Sequence, residues 1–193
     1  MPVDRHQNMS AIRSRNTTPE WTVRRWLWHS GFRYRLNDRR LPGHPDLVLR
    51  RYRTCVFVNG CFWHGHRVVE TRAGEGGEGT DEQLPVDLLS SACCKIPHTN
   101  RAFWVAKIRR NRERDQQTLE RLREMGWHTV TVWECELKGA QREQTLTALV
   151  NTLREIGLRE RPAPKPTEYD DYYDFELPVA AEPTFSDPYK QND

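Results

Sequence analysis

Long apolar runs are missing from this chain of 193 residues, and none approaches the ~18 that a membrane-spanning helix needs. The polar start, residues 1–10, also lacks the charged-then-apolar order of a secretory signal. A cytoplasmic protein with no membrane partner is therefore expected. Cysteines are few and odd in number, at Cys55, Cys61, Cys93, Cys94 and Cys135. That count argues against a disulfide framework and leaves metal binding or simple burial. Internal repeats are absent. The length favours one folded unit with a real core, plus a tail or an insertion.

Lysine is scarce as well, and its scarcity says something about partners. The net charge of +3 conceals a strong segregation. Residues 1–67 carry 13 cations against 4 acids, and residues 94–161 carry 14 against 9. Between and after them lie acidic segments, residues 68–93 with 1 cation against 6 acids and residues 162–193 with 2 against 8. Of the cations in the two basic blocks only Lys95, Lys107 and Lys138 are lysines. Arginine in such excess suits forked contacts to phosphate and makes nucleic acid the leading partner. Charge alone is equally compatible with an Arg-rich solvated surface.

Thr17 or Thr18 as N-cap, Pro19 at the first helical position, and Val23, Trp26 and Leu27 at helical spacing predict a helix ended by Gly31. A turn at Leu41-Pro42-Gly43-His44-Pro45 precedes two short strands, residues 46–49 and 54–58, joined most simply as a hairpin. Residues 68–91 contain Gly-Glu-Gly-Gly-Glu-Gly and no periodic apolar pattern, so a flexible acidic insertion without chemistry of its own is expected there. Residues 100–125 form a long helical pattern with Trp104, Ile108, Leu119 and Leu122 on one stripe, closed by Gly126. A strand over residues 127–133 follows. A last amphipathic helix carries Leu146, Leu149, Val150, Leu153 and Ile156 and stops near Gly157. The acidic, Pro-containing tail is expected to be disordered. Helices alternating with strands predict a layered α/β domain around a central mixed sheet.

The chemistry concentrates in residues 60–66, Gly-Cys-Phe-Trp-His-Gly-His. Cys61, His64 and His66 fall within six residues, a density that favours a metal. Tetrahedral zinc needs about four N/S ligands, and Cys93 or Cys94 with Cys135 would complete a set, leaving one histidine over. Against this stands a plainer reading in which Cys135 is a buried thiol and His66 faces solvent. Asp46 places a carboxylate at a strand end beside a glycine-bearing turn, where nucleases often hold magnesium, although Asp after Pro is also an ordinary turn residue. Asn111 and Asp115 interrupt the apolar stripe of the long helix. Asp115 either orients a histidine or pairs with a nearby arginine such as Arg112. Phe62 and Trp63, adjacent large aromatics, either pack into the core or insert into a base stack.

Together, Leu41-Pro42-Gly43-x-Pro45-Asp46, the residue 60–66 run, Phe103-Trp104-x-x-Lys107-Ile108, Asn111-x-x-Arg114-Asp115 and Val132-Trp133-Glu134-Cys135 resemble the very-short-patch repair (Vsr) endonucleases. The resemblance starts at Asn8-Met9-x-x-Ile12-x-x-x-Asn16-Thr17 and extends to about Gly157. It implies an endonuclease domain over residues 1–160, with an acidic insertion at about 68–92 and a tail at 161–193. The implied fold is restriction-endonuclease-like and three-layered, with a structural zinc site. The implied activity is a Mg²⁺-dependent nick in one strand beside the T of a T:G mismatch, the lesion left when 5-methylcytosine deaminates.

Carried over by position, Asp46 looks like the magnesium ligand, His64 like the catalytic histidine, Asp115 like its orienting partner, and Glu20 like a further acidic member of the site. Cys61, His66 and Cys135 match the zinc ligands, and Phe62, Trp63 and Trp104 the intercalating aromatics. Met9 lies in the segment that approaches the minor groove. The implied partner is mismatched duplex DNA bound by a monomer, with repair-machinery proteins as further partners.

Two departures stand out. The fourth zinc ligand comes more than twenty residues after His66, and Cys94 is preferred over Cys93 because Lys95-Ile96-Pro97 leads straight into the matched helix. Val58 and Asn59 replace the Thr and His of the family's best-known member, so magnesium contacts there use the Val58 carbonyl or the Asn59 amide. A restriction-like nuclease acting on undamaged or modified DNA is one rival reading. A zinc-stabilised binding module that no longer cuts is another.

Overall fold

A computed structural model describes residues 16–72 and 86–159. Helix α1 (Thr18–His29) starts as the sequence predicts, with Thr17 as N-cap and Pro19 in the first turn. Its capping box is reciprocal: Thr17 Oγ1 accepts from the Glu20 backbone N–H, and the Glu20 carboxylate accepts from the Thr17 N–H. A cap of this kind is worth about 1 kcal/mol and fixes where the helix begins.

Strands β1 (Arg35–Leu36), β2 (Leu47–Leu49) and β3 (Thr54–Asn59) follow, the last two joined by a short 3₁₀ turn (Arg50–Tyr52). β2 and β3 form the expected hairpin, Leu47 opposite Val56 and Leu49 opposite Thr54. β1 was not legible in the sequence, because two residues cannot display an alternation. After β4 (Val69–Arg72) and β5 (Val86–Leu89) come helix α2 (Arg101–Glu124), strand β6 (His128–Trp133), a second 3₁₀ turn (Glu134–Leu137) and helix α3 (Gln141–Arg159).

The main sheet runs β1-β2-β3-β6. β3 and β6 are parallel, from Thr54 opposite His128 to Asn59 opposite Trp133, while the other pairs are antiparallel. Side chains alternate across this mixed sheet and divide the core in two. Leu47, Leu49, Val56 and Val132 pack with Val23 and Leu27 of α1 and with Leu146, Leu149, Val150 and Leu153 of α3. On the opposite face Val48 and Cys55 meet Leu41, Trp127 and Leu122 of α2. Each fully buried leucine contributes on the order of 1.5–3 kcal/mol. Helices on both faces of a mixed sheet make the three-layer α/β arrangement that was expected. No helix among the described residues is long and apolar enough to cross a membrane.

One expectation is met closely and one needs correction. α3 runs to Arg159, two residues past the Gly157 near which it was expected to stop. A Cβ at Gly157 would lie 2.8 Å from the Tyr52 ring, so this glycine serves close packing and not helix termination. The acidic insertion is more than a loop. Its two ends, β4 and β5, pair as an antiparallel hairpin with Val69 opposite Leu89 and Glu70 opposite Leu88. Leu88 is fully buried with Val68, Cys94, Ile96, Val105 and Ile108 in a second small core. Asp87 pairs with Arg101 at 3.0 Å, and Glu70 faces Arg112 at 3.4 Å, which ties the hairpin to α2. Residues 73–85, Met9 and the tail at 161–193 lie outside the described residues.

Candidate active site and metal centre

Both candidate centres hang from the ends of β3 and β6. After Asn59 the chain turns through residues 60–66. The Gly65 φ of +59° and the 2.6 Å that would separate a Cβ there from Ile108 Cγ2 admit only glycine without rearrangement. The turn therefore lies directly on α2. There Asn111 Nδ2 donates to the Trp63 carbonyl at 2.8 Å, and one turn further Asp115 Oδ2 meets His64 Nδ1 at 2.5 Å. The two polar residues that interrupt the α2 stripe thus fix consecutive residues of the turn. Asp115 also lies 3.9 Å from Arg114, but the histidine contact is much the shorter. With a carboxylate as acceptor, Nδ1 carries the ring hydrogen and Nε2 is left as the basic nitrogen.

His64, Asp115, Asp46, Val58, Asn59 and Glu20 line one cleft of 1710 Å³. Asp46 Oδ2 accepts from the Val58 backbone N–H at 2.7 Å, which ties the carboxylate across the β2–β3 hairpin. Burial pushes the Asp46 pKa up to about 6, and the negative charge of Glu20 adds to the rise. The Val58 hydrogen bond and the charges of Arg24 and His64 oppose it. A carboxylate in that position has an incentive to recruit a cation.

Glu20 is close enough to act on Asp46, yet its own oxygens are committed. Oε2 accepts from Arg24 Nη2 at 2.6 Å and from the Asn16 N–H, while Oε1 accepts from the Thr17 hydroxyl and N–H. Arg24, 2% exposed, also donates to Asn16 Oδ1 at 2.7 Å. Sequence reasoning missed this buried arginine, whose only signal was a four-residue spacing from Glu20.

The second centre gathers Cys61, His66, Cys93 and Cys135, whose ligand atoms all lie within 4.8 Å of one another. His66 Nδ1 is 3.6 Å from Cys61 Sγ, 3.4 Å from Cys93 Sγ and 3.3 Å from Cys135 Sγ. Bond lengths of about 2.3 Å to sulfur and 2.0 Å to nitrogen at tetrahedral angles give N···S edges of about 3.5 Å, so the donor set fits zinc. Burial pushes the Cys61 thiol up to about 12, and burial also raises Cys135. At Cys93 burial acts the same way, but hydrogen bonds from Ser91 and the neighbouring thiols outweigh it and lower the pKa. Burial and the nearby Arg67 charge lower His66, which keeps its ring neutral as a ligand requires.

The preference for Cys94 is overturned here. The chain bends between Ser91 and Cys94, closed by the Ser91 N–H to Cys94 carbonyl hydrogen bond at 2.9 Å, and Cys94 turns into the small core, fully buried with its Sγ 3.8 Å from the Phe62 carbonyl. Cys93 is the one that faces His66. The insertion delivers it: Ser91 Oγ donates to the His66 carbonyl at 2.7 Å and lies 3.6 Å from Cys93 Sγ. Ser91 had no sequence signal.

Trp133, at the end of β6, stands between the two centres. Its ring stacks on His66 with centroids 4.0 Å apart and planes 3° from parallel, and it meets His64 edge-on at 6.5 Å. The three expected intercalating aromatics form one cluster. Phe62 lies 5.1 Å from both Trp63 and Trp104, which are 6.2 Å from each other. Phe62 and Trp104 lean on the small core, whereas Trp63 lines the cleft. Phe103, 56% exposed, extends the cluster 5.1 Å beyond Trp104. Lys107 Nζ sits 5.6 Å over both the Trp63 and Phe103 rings.

The family model described as DNA mismatch endonuclease Vsr matches residues 1–70. The DNA mismatch endonuclease Vsr of Escherichia coli is 36% identical over 151 residues, covering 78% of this chain and 81% of that protein. The chain belongs to the Vsr family. Two Vsr-like relatives are similar to it over a comparable span. The type II nicking enzyme V.NmeAIP of Neisseria meningitidis serogroup A is 39% identical over 76% of this chain and 89% of its own length. For V.XorIIP of Xanthomonas oryzae the figures are 39%, 80% and 93%. As a Vsr-family protein the chain is a DNA endonuclease, and DNA is its substrate.

Proposed function

We propose that this Vsr-family endonuclease nicks one strand of duplex DNA beside the T of a T:G mismatch, using Mg²⁺ at Asp46 and a structural zinc at Cys61, His66, Cys93 and Cys135. The observation that carries the reading is the 2.5 Å His64–Asp115 pair opening onto the same cleft as the buried Asp46 carboxylate. Magnesium fits the oxygen donors there, Asp46 with the Val58 carbonyl and the Asn59 amide, and when bound would polarise the phosphate and stabilise the departing oxygen.

The chain's own residues do the rest. Asp115 holds the Nδ1 hydrogen of His64, so Nε2 takes a proton from the water that attacks phosphorus in line. The water oxygen forms the new P–O bond as the bond to the sugar oxygen breaks. Asp115 stabilises the imidazolium that results. Glu20 and Arg24 hold the start of α1 against Asp46 and set the charge around it. The four N/S donors form a closed set and serve folding.

Phe62, Trp63 and Trp104 supply a wedge. Unstacking a base step costs a few kcal/mol and less beside a mismatch, so a ring cluster at the cleft favours weakly paired sites. The double substitution Phe62→Ala with Trp63→Ala should reduce the preference for mismatched over paired duplex while bound zinc stays at one per chain. Equal loss on both substrates would make these rings core residues only. The function itself is tested by strand-resolved nicking of duplexes bearing T:G, T:A and methylated sites in several sequence contexts. Selective cutting of the T strand at T:G supports the reading. Preferential cutting of paired or methylated duplex would replace it with a restriction-like activity, and binding without nicking would replace it with a non-cutting module.

A further inference from the structure

We propose that residues 168–176 of this chain, Glu-Tyr-Asp-Asp-Tyr-Tyr-Asp-Phe-Glu, occupy the active-site cleft when DNA is absent and are displaced by duplex. The proposal rests on the reading of this cleft as the DNA-binding surface. The cleft is lined by the cations Lys107, Arg114, Arg121, Lys138 and Arg142 as well as by the carboxylates Glu20, Asp46, Asp115 and Glu134, of which Glu134 pairs with Lys138, and Trp63 forms part of its wall. It thus offers cations for phosphates and an aromatic face for bases. The nine-residue segment presents the same two chemistries on one strand. It has five carboxylates, four aromatic rings and no cation, the densest such mixture in the chain. An acidic run alone would be drawn to any basic face. Rings alternating with carboxylates match this face in particular, where Lys107 already lies over two aromatic rings.

The distances permit the return. Arg142 lies at the start of α3 on the cleft, and α3 ends at Arg159. At ~1.5 Å of rise per residue, about 26 Å of helix separate the two. Residues 160–167 include three prolines. At the ~3.1 Å per residue that proline-rich chains favour, these eight residues reach about 25 Å. A connection that short gives an effective concentration in the millimolar range, enough for weak contacts to compete with nonspecific DNA. A duplex engaging the full cleft, wedge included, makes more contacts than the segment and displaces it. The consequence is selectivity: paired DNA is disfavoured at the cleft while a mismatch that admits the rings still binds.

The test uses the whole chain. A zero-length carbodiimide joins lysine amines to carboxylates in contact, and among the described residues the cleft lysines are Lys107 and Lys138. Mass spectrometry should find residues 168–176 joined to Lys107 or Lys138 within one chain, with the cross-links lost on adding duplex DNA. Cross-links confined to Lys95, Lys165 or Lys190, cross-links unmoved by duplex, or joins only between differently isotope-labelled copies would overturn the proposal.

A full-length variant carrying E168Q, D170N, D171N, D174N and E176Q should bind fully paired duplex about tenfold more tightly at ~0.05 M salt. The gain should shrink towards ~0.2 M. A second variant that keeps the acids but replaces Tyr169, Tyr172, Tyr173 and Phe175 with Ser should show the cross-links reduced at least twofold. Unchanged affinity in the first variant would show that the acids do not compete with DNA, undiminished cross-links in the second would leave only a diffuse charge effect, and either result would sink the docking. Cross-linking reads occupancy without any cutting, so a protein that fails to nick T:G sites would still decide this point.

Discussion

One seven-residue turn supplies a histidine to each of two centres, and the two could hardly differ more. The cluster around His66 is closed: three sulfurs and a nitrogen face one another, and two of the four residues are buried. The cleft around His64 is open: its Nδ1 is held by Asp115, while burial raises the Asp46 pKa to about 6, above the usual carboxylate range. Trp133 separates them, stacked on one ring and edge-on to the other. The turn through residues 64–66, with Gly65 pinned against α2, sends two histidines two residues apart into two different centres. On the function proposed above, donor closure marks a structural centre and unspent donor capacity a reacting one.

The largest way to break this comparison is to open the closed centre. Cys93→Ser should lose bound zinc and much of the cooperative melting transition, because a structural zinc site contributes folding free energy directly. Metal content by atomic emission and a thermal melt would check it. Cys94→Ser, its neighbour, should keep the metal and lose only a few degrees. If the two behaved alike, the assignment of Cys93 would fail. Next in size, Asp46→Ala should cut single-turnover nicking by about 10³-fold or more with zinc retained and duplex binding preserved. Asp115→Asn, which leaves the shape but lets His64 take the wrong tautomer, should cost about 10²-fold, within the range that general-base contributions span.

The smallest expected effect sharpens the contrast through pH. The folded-state pKa of Asp46, about 6, lies above its ordinary value. Its protonated form therefore favours folding, fully below about pH 4, and that contribution is lost as pH rises through about 6. Asp46→Asn should accordingly melt a few degrees above the parent at pH 8 without added Mg²⁺. The difference should vanish near pH 4, and Mg²⁺ should narrow it at pH 8. A parent at least as stable as the variant at pH 8 would show that the carboxylate is already well compensated.

Much of this was legible in the sequence, for physical reasons that differ by residue. α1 and α2 announced themselves through caps, a closing glycine and a stripe, and the polar breaks at Asn111 and Asp115 pointed to partners that the fold supplies as Trp63 and His64. Cys61, His66 and Cys135 were expected together from the resemblance, and the fold gathers them into one cluster. Cys93 against Cys94 was not, because facing depends on a one-residue phase that only the docking of β5 and Ser91 sets. The hairpin within the acidic insertion was hidden because Leu88 is the one leucine or valine of β4 and β5 that is buried among the described side chains, and one buried leucine makes no period. Gly157 marked the helix end to within two residues, but its close packing on Tyr52 could not be read from the sequence. Trp133 stood within a quoted motif without a role, since its work is done between two side chains that meet only in the fold.

The most direct measurement sets the two histidines side by side. His64→Ala and His66→Ala would be purified identically and assayed in parallel for bound zinc and for strand-resolved nicking of a T:G duplex. The account predicts that His64→Ala keeps its zinc and its melting transition but loses nicking by about 10²-fold or more. It predicts that His66→Ala loses zinc and folding together. Loss of zinc in His64→Ala, or a folded, zinc-loaded His66→Ala, would contradict the division of this turn into a catalytic and a structural half.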